Sequence, residues 1–443
     1  MATYKTPGVY IEEVSLLPPS VAQVETAIPA FIGYTASGTA NKPVRIRSMA
    51  EYVTNFGGPA NNLPSFTVTV NAGVKSVAAD DDLLATPAYR MYYALQLYFS
   101  NGGGPCYVVS AGAYKAAGDA NDDTADFDEL NAALKALRKE DEPTLLVIPD
   151  ASMLDDADDY HNLYANALQQ CADLQDRFTI CDVLLDGGNP NDINAASGAF
   201  RDKIGTSNLK YGAAYYPSVT TTLGYSFVES KISVTSGGTA TLLRYLEQEF
   251  KAKEAEMRAN GDSEADIISA LEDMKEASLF HQDNEAYFMI RNQIEEIDLV
   301  LPVSSAMAGV YASVDNSRGV WKAPANISLR SVKRPTVVIS HNDQQDLNVH
   351  STGKSINAIR SFSGKGNMVW GARTLAGNDN EWRYISVRRF YNMVEESVKK
   401  ASDGFVFEPN DANTWTKIKA MIENFLTLQW RAGALMGATT EQA

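Results

Sequence analysis

Residues 144–185 read TLLVIPDASMLDDADDYHNLYANALQQCADLQDRFTICDVLL. Two apolar runs, TLLVIP at 144–149 and FTICDVLL at 178–185, flank an amphipathic stretch at 156–174. Short apolar runs of this length read as buried strands, and the segment between them has the period of a helix. Strands that are apolar throughout and joined by helices describe a parallel sheet covered on both faces.

The same rhythm extends outward. Downstream, a helix near 190–203 leads to the strand YGAAYYP (211–217). Upstream, a helix at 127–139 follows the strand CYVVS (106–110). Before that, Thr86-Pro87 opens a helix through AYRMYYALQLYF, which stops at Asn101-Gly102-Gly103-Gly104. IPAFIGYTA (28–36) is a further buried strand, PVRI (43–46) a short one, and Ser48 to Glu51 a capping box for a helix ending at Phe56-Gly57-Gly58.

Two segments break the alternation. Residues 59–82 are polar, with TVTV (67–70) as a small exposed strand, and residues 218–280 read as a solvated insertion with a charged helical pair turning at Asn260-Gly261. From about 300 the chain reads as a helix through Ala306, Met307 and Ala308, then a loop with Trp321, Pro324 and Asn326. Strands follow at 331–340 and 367–374, a strand passing into a helix at 382–402, and a last helix at 412–432. The fold class expected is α/β.

The chain has 443 residues, 45% hydrophobic and 21% charged, as a folded globular protein does, and length suggests two or three domains. No run of 18 apolar residues and no secretory signal pattern is present. Cys106, Cys171 and Cys181 are odd in number and widely spaced, which suits buried reduced thiols in a cytosol. The net charge of −17 is uneven: residues 325–443 carry +4 and the rest −21. That asymmetry suggests two faces with different partners, and the overall acidity argues against nucleic acid.

A doubly wound sheet is a common enzyme scaffold, which makes catalytic patterns in the chain relevant. STGKS (351–355) lacks the glycine that a phosphate loop needs five residues before Gly353; Asn348 stands there. Gly102-Gly103-Gly104 follows a helix and precedes a strand, the reverse of a dinucleotide fingerprint. His341 and His350, with Asp343 and Asp346, lie in a polar stretch with no spacing that converges metal ligands. Asp150 follows a buried strand, where α/β ligand sites lie, but helix caps and loop acids occur there too. No catalytic, cofactor or metal residues are assigned. The alternative kept open is an α/β enzyme or nucleotide-binding protein with an unrecognised site.

Nine segments together resemble the sheath proteins of contractile phage tails and, more closely, of phage-tail-like contractile injection systems. They are TPGVYIEEV (6–14), PSVAQVETAIPAFIGYT (19–35), RIRSMAEYVTNFGG (45–58), YFSNGGGPCYVV (98–109), VIPD (147–150), SSAMAGVYASVDNSRGVWKAPAN (304–326), INAIRSFSGKGNMVWGARTL (356–375), WRYISVRRFYNMVEESV (382–398) and FEPNDANTW (407–415). Residues 59–82 and 218–290 are not covered.

The resemblance implies a structural subunit that polymerises helically around an inner tube and contracts to drive it through a target envelope, with no enzymatic role and no cofactor. It implies an N-terminal arm (1–20) whose strand, Pro7, Gly8, Val9, Tyr10, Ile11 and Glu12, is donated to a neighbouring subunit beyond the Pro18-Pro19 spacer. It implies an outer α/β domain (21–325) with its insertion near 218–290, and an inner α+β domain (326–443) formed with the chain ends and facing the tube. After a segment like GALMGATTEQA (433–443) it implies a further strand and terminal arm. The partners implied are neighbouring sheath subunits, the tube protein, and baseplate and cap proteins or sheath paralogues, with no nucleic acid and no membrane insertion. The implied setting is assembly in a bacterial cytoplasm into a phage tail or tail-like particle, released or not. On the last helix, Trp415, Ile418, Ile422, Phe425, Leu426 and Trp430 fall within about 140° as the expected core face, and Lys417, Met421, Asn424, Leu428 and Arg431 form the stripe expected to meet the tube.

Overall fold

The computed structural model describes residues 21–60, 63–71, 73–81, 86–115, 124–184 and 192–442. Its centre is an eight-stranded sheet. The strands are β1 (Pro29–Thr35), β2 (Pro43–Ile46), β3 (Cys106–Ala113), β4 (Leu145–Val147), β5 (Phe178–Asp182), β6 (Gly212–Tyr216), β7 (Ile356–Phe362) and β8 (Gly366–Trp370). The order across the sheet is β8-β7-β6-β5-β4-β1-β3-β2. Every pairing from β3 to β7 is parallel, and β2 and β8 close the edges antiparallel.

Alternate residues of each central strand serve opposite cores. In β1, Ala30, Ile32 and Tyr34 face a layer containing helices Phe127–Ala136, Ala157–Leu174 and Ile193–Lys203. Phe31 faces the other layer, which holds helix Met49–Phe56, α1 (Met91–Ser100) and α2 (Ser304–Arg318). Both cores are apolar and closed, which is why these strands read as continuous apolar runs. Cys106, Cys171 and Cys181 are buried and free.

The two segments outside the sheath-like motifs come together. Strands Phe66–Asn71 and Val74–Ala79 pair with Ser233–Ser236 and Thr239–Leu242 in one four-stranded sheet. Helices Glu247–Asn260, Glu264–Glu276 and Asn284–Glu295 belong to the same lobe, whose core holds Phe66, Val68, Val234, Leu279, Tyr287 and Ile290. Residues 63–71 and 73–81 therefore hold two of the lobe's four strands, and TVTV has a parallel partner 168 residues away.

Three local expectations change. The helix opened by Thr86-Pro87 begins at Met91, because its first amides are capped from a distant strand, as described below. Of residues 331–340 only Val332–Pro335 is strand, and Ser340 caps a short helix, His341–Asn348, where a polar loop was expected. The sheet also runs past residue 325: β7 and β8 are hydrogen-bonded members of it, because Ile356, Ala358 and Ile359 bury on its two faces. What stands apart from the sheet at the C-terminal end is two helices, α3 (Ile385–Ser402) and α4 (Ala412–Arg431).

Candidate assembly surface

In a doubly wound sheet, ligands bind outside the carboxyl ends of the strands, at the switch point of strand order. Here that point lies beside β1, which has β3 on one side and β4 on the other. Asp150, just after β4, is fully buried and accepts hydrogen bonds from the amides of Tyr34 (2.7 Å) and Arg90 (2.7 Å). It caps α1, which has no side-chain cap of its own. Gly33 is required at this approach, since a Cβ there would lie 2.3 Å from an Asp150 oxygen. Asp182, at the end of β5, accepts from the Ser304 amide at 2.9 Å and caps α2 in the same way. Two helix N-termini that could hold a ligand phosphate are already neutralised by the chain's own carboxylates. Arg90 adjoins both acids, and its guanidinium donates to Ser152.

Burial pushes both carboxyls up from 3.8 to about 6, against the donors that stabilise their charge. A raised carboxyl favours the fold in its neutral form. That contribution is complete below the ordinary carboxylate pKa and is lost as pH rises through about 6. Asp182→Asn removes one such group. The stability of the natural chain relative to this variant should therefore grow by about 2 kcal/mol between about pH 7.5 and pH 4.5. Urea unfolding at several pH values checks it; a constant difference would mean that Asp182 titrates normally.

Among the described residues no group of three or more His, Cys, Asp or Glu could hold a metal ion.

The surfaces offered to partners are on α3 and α4. Arg389 of α3 makes a bidentate pair with Asp315 of α2, at 3.1 and 2.5 Å, with both side chains 3% exposed. It also donates to the Thr26 carbonyl at 2.8 Å, and the Thr26 hydroxyl donates to Asp315 at 2.6 Å. Next to it, Arg388 lies over the rings of Trp382 and Tyr211, with centroids at 4.3 and 5.1 Å, and donates to Asn392 and Glu395. The segment 21–27 runs along α3 as a strap, with Val24 donating its amide to Ser397 Oγ at 3.1 Å. A cleft of about 420 Å³ separates α3 from the base of the sheet. Its cations are already paired, Arg45 with Glu142 and Lys400 with Asp141.

α4 packs on α3, Val320 and the strap through Phe425. Its buried line is Met421, Phe425 and Gln429, so the packed face is turned away from the expected one. Met421, expected on the outer stripe, is 2% exposed, whereas Trp415, expected in the core, is 60% exposed. The cause is the strap: Gln429 is buried because its amide donates to Gln23 Oε1 at 3.2 Å, a partner 406 positions away. Lys417, Asn424, Leu428 and Arg431 remain together on the exposed side. The arm residues Pro7, Gly8, Val9, Tyr10, Ile11 and Glu12 lie outside the described residues.

Val406 and Phe407 project from the loop before α4. Near the other end of the helix a groove of about 390 Å³ lies between Glu423, Leu426, Thr427 and Trp430 on the helix and Leu435, Thr440 and Glu441 on the following segment, an apolar floor with polar and acidic edges. The indole of Trp430 holds that segment by donating to the Gly437 carbonyl at 2.9 Å.

Residues 377–443 match the family model of the phage tail sheath C-terminal domain. The tail sheath protein of Burkholderia phage BcepMu is 29% identical over 141 residues, 31% of this chain and 29% of that protein. That of Vibrio phage KVP40 is 27% identical over 132 residues, 29% of this chain and 19% of that protein. The matched regions thus span less than a third of these relatives' length. Among solved structures, the contracted sheath complex of PVC, an extracellular contractile injection system, superposes with a TM-score of 0.61 at 25% identity, covering 100% of this chain and 87% of that one. The contracted helical sheath of the anti-feeding prophage gives 0.58 at 28% identity, covering 100% and 88%.

Proposed function

The homologues of this chain are tail sheath proteins of phages and contractile injection systems, and from that premise we propose that it is a sheath subunit. It polymerises helically around an inner tube and contracts to drive the tube through a target envelope. The observation that carries the reading is the superposition of the whole chain on contracted sheaths at 25–28% identity. The self-capped crevice supports a structural role, because Asp150 and Asp182 occupy the N-termini of α1 and α2. Heterologous contacts that do not close generate such a polymer.

Residues 1–20 act as the arm that pairs with a neighbouring copy, and α3 and α4 form the inner face toward the tube. The acidic sheet-bearing part, with the 59–82/218–290 lobe, lies outward. Baseplate and cap proteins terminate the polymer, and assembly takes place in a bacterial cytoplasm. No helix among the described residues is long and apolar enough to cross a membrane.

Electron microscopy of the purified chain should show tubes or stacked rings. Deleting residues 1–17 should leave the unfolding midpoint unchanged and abolish those tubes, because only pairing between copies is lost. A natural chain that stays monomeric with tube protein present sinks the sheath reading; tubes from the deletion variant sink arm donation alone.

A further inference from the structure

A turn at Phe405–Glu408 precedes α4. The Glu408 amide donates to the Phe405 carbonyl at 3.1 Å. Val406 has φ −64° and ψ 129°, and Phe407 has φ 72°. These are the angles of a type II turn, whose third position calls for glycine or asparagine. Phenylalanine is disfavoured there because its Cβ crowds the backbone in the left-handed region. The same side chain is 101% exposed, and Val406 beside it is 58% exposed. Single exposed apolar residues are ordinary on protein surfaces. An aromatic residue that is both fully exposed and set on a strained backbone is not, since neither the turn nor the solvent favours it.

The chain also carries a matching recess. The groove has Leu426, Trp430 and Leu435 as its apolar lining, with Thr427, Thr440 and the carboxylates Glu423 and Glu441 also lining it, and measures about 390 Å³, enough for a phenylalanine and part of its neighbour. Its walls are fixed: Trp430 is tied to Gly437, and Gly433, at φ 88°, turns the chain back along the helix. Knob and recess lie on either side of α4, separated by roughly 20 Å of helix at 1.5 Å per residue, so they cannot meet within one molecule.

We propose that Phe407, with Val406, is an anchor that inserts into the Leu426–Trp430–Leu435 groove of a second copy of this chain. One knob and one recess on different surfaces make a heterologous contact, which propagates from copy to copy without closing on a dimer. The inference takes its occupant, a second copy, from the sheath reading, because the relatives superposing on this chain are solved as sheath complexes. The contact is a buried aromatic anchor in a preformed pocket, the usual form of an interface hot spot.

The test is a double-cysteine chain, Phe407→Cys with Thr440→Cys. The three natural cysteines are fully buried and stay silent. A disulfide requires Cα atoms within about 7 Å, so mild oxidation should link different copies and give a ladder extending beyond the dimer. Either single variant should give no ladder. Phe407→Gly should keep or raise the melting temperature, since it suits the turn, and should lower tube yield at least tenfold. The proposal is overturned by oxidised double-cysteine tubes without a ladder, by Phe407→Gly tubes in natural yield, or by a cross-link at Thr440→Cys formed by Tyr10→Cys and not by Phe407→Cys, which would give the groove to the N-terminal segment. A ladder in a chain that forms no tubes would uphold this contact while removing the sheath reading.

Discussion

Arg389→Met should lower the unfolding free energy by about 3–5 kcal/mol, because it strands a buried carboxylate. Asp315 is 3% exposed and, among the described residues, would keep only the Thr26 hydroxyl as a side-chain hydrogen-bond donor, while the Thr26 carbonyl would keep the Thr144 hydroxyl alone. Methionine retains most of the apolar stem, so the loss reports the charge and its hydrogen bonds more than a cavity. Lysine should rescue little, since one ammonium cannot reproduce two parallel bonds to Asp315 and a third to Thr26. The double variant Arg389→Met/Asp315→Leu should recover a large part of the loss, as replaced buried ion pairs commonly do. Denaturant unfolding of the four chains closes the cycle. A loss under about 1 kcal/mol for Arg389→Met would show that α3 is held by its apolar face alone.

Lys417→Glu with Arg431→Glu should leave the chain folded and cut the yield of extended particles at least tenfold, giving empty or contracted sheaths. Both cations are exposed, on the side of α4 that also presents Asn424 and Leu428, with Leu428 48% exposed. The positive balance of residues 325–443 suits an acidic tube exterior. Reversing Arg431 in the last helical turn costs about 0.3–1 kcal/mol through the helix dipole. Arg431→Gln is therefore the control for stability. Counting extended and contracted particles by electron microscopy decides it: extended particles in natural yield would remove this face as the tube contact.

The central sheet was legible because burial on both faces leaves apolar runs that no solvent-facing strand can mimic. The lobe was only half legible. Val234 pairs in parallel with Phe66, across an interval that contains half of the large sheet, and local periodicity carries no trace of such a pairing. The start of α1 is hidden for a related reason: Thr86-Pro87 is a good local signal, but Asp150, in the turn after β4, supplies the cap from 60 positions away. On α4 the apolar stripe from Trp415 to Trp430 is real, yet the structure buries the line through Met421 and Gln429. A helix period cannot tell which flank of a broad apolar stripe meets its neighbour. Asp150 is legible as a strand-end acid, but its role as a cap depends on the Tyr34 and Arg90 amides, which only the fold brings to it. Phe407 had no sequence signal at all, because its oddity is a backbone angle.

The strap at residues 21–27 leads directly into β1, the strand flanked on both sides by parallel neighbours. A pull on the N-terminal segment therefore acts along the axis of β1. It loads the ladders to β3 and β4 in shear, so that many bonds must fail at once. The same pull on an edge strand such as β2 or β8 would load one ladder where β1 has two. Before tension reaches the sheet it must also break the Thr26 contacts to Asp315 and Arg389. Whatever holds residues 1–20 is thus mechanically coupled to a strand in the middle of the sheet, and the link behaves as a cable anchored at the keel and not at the rail.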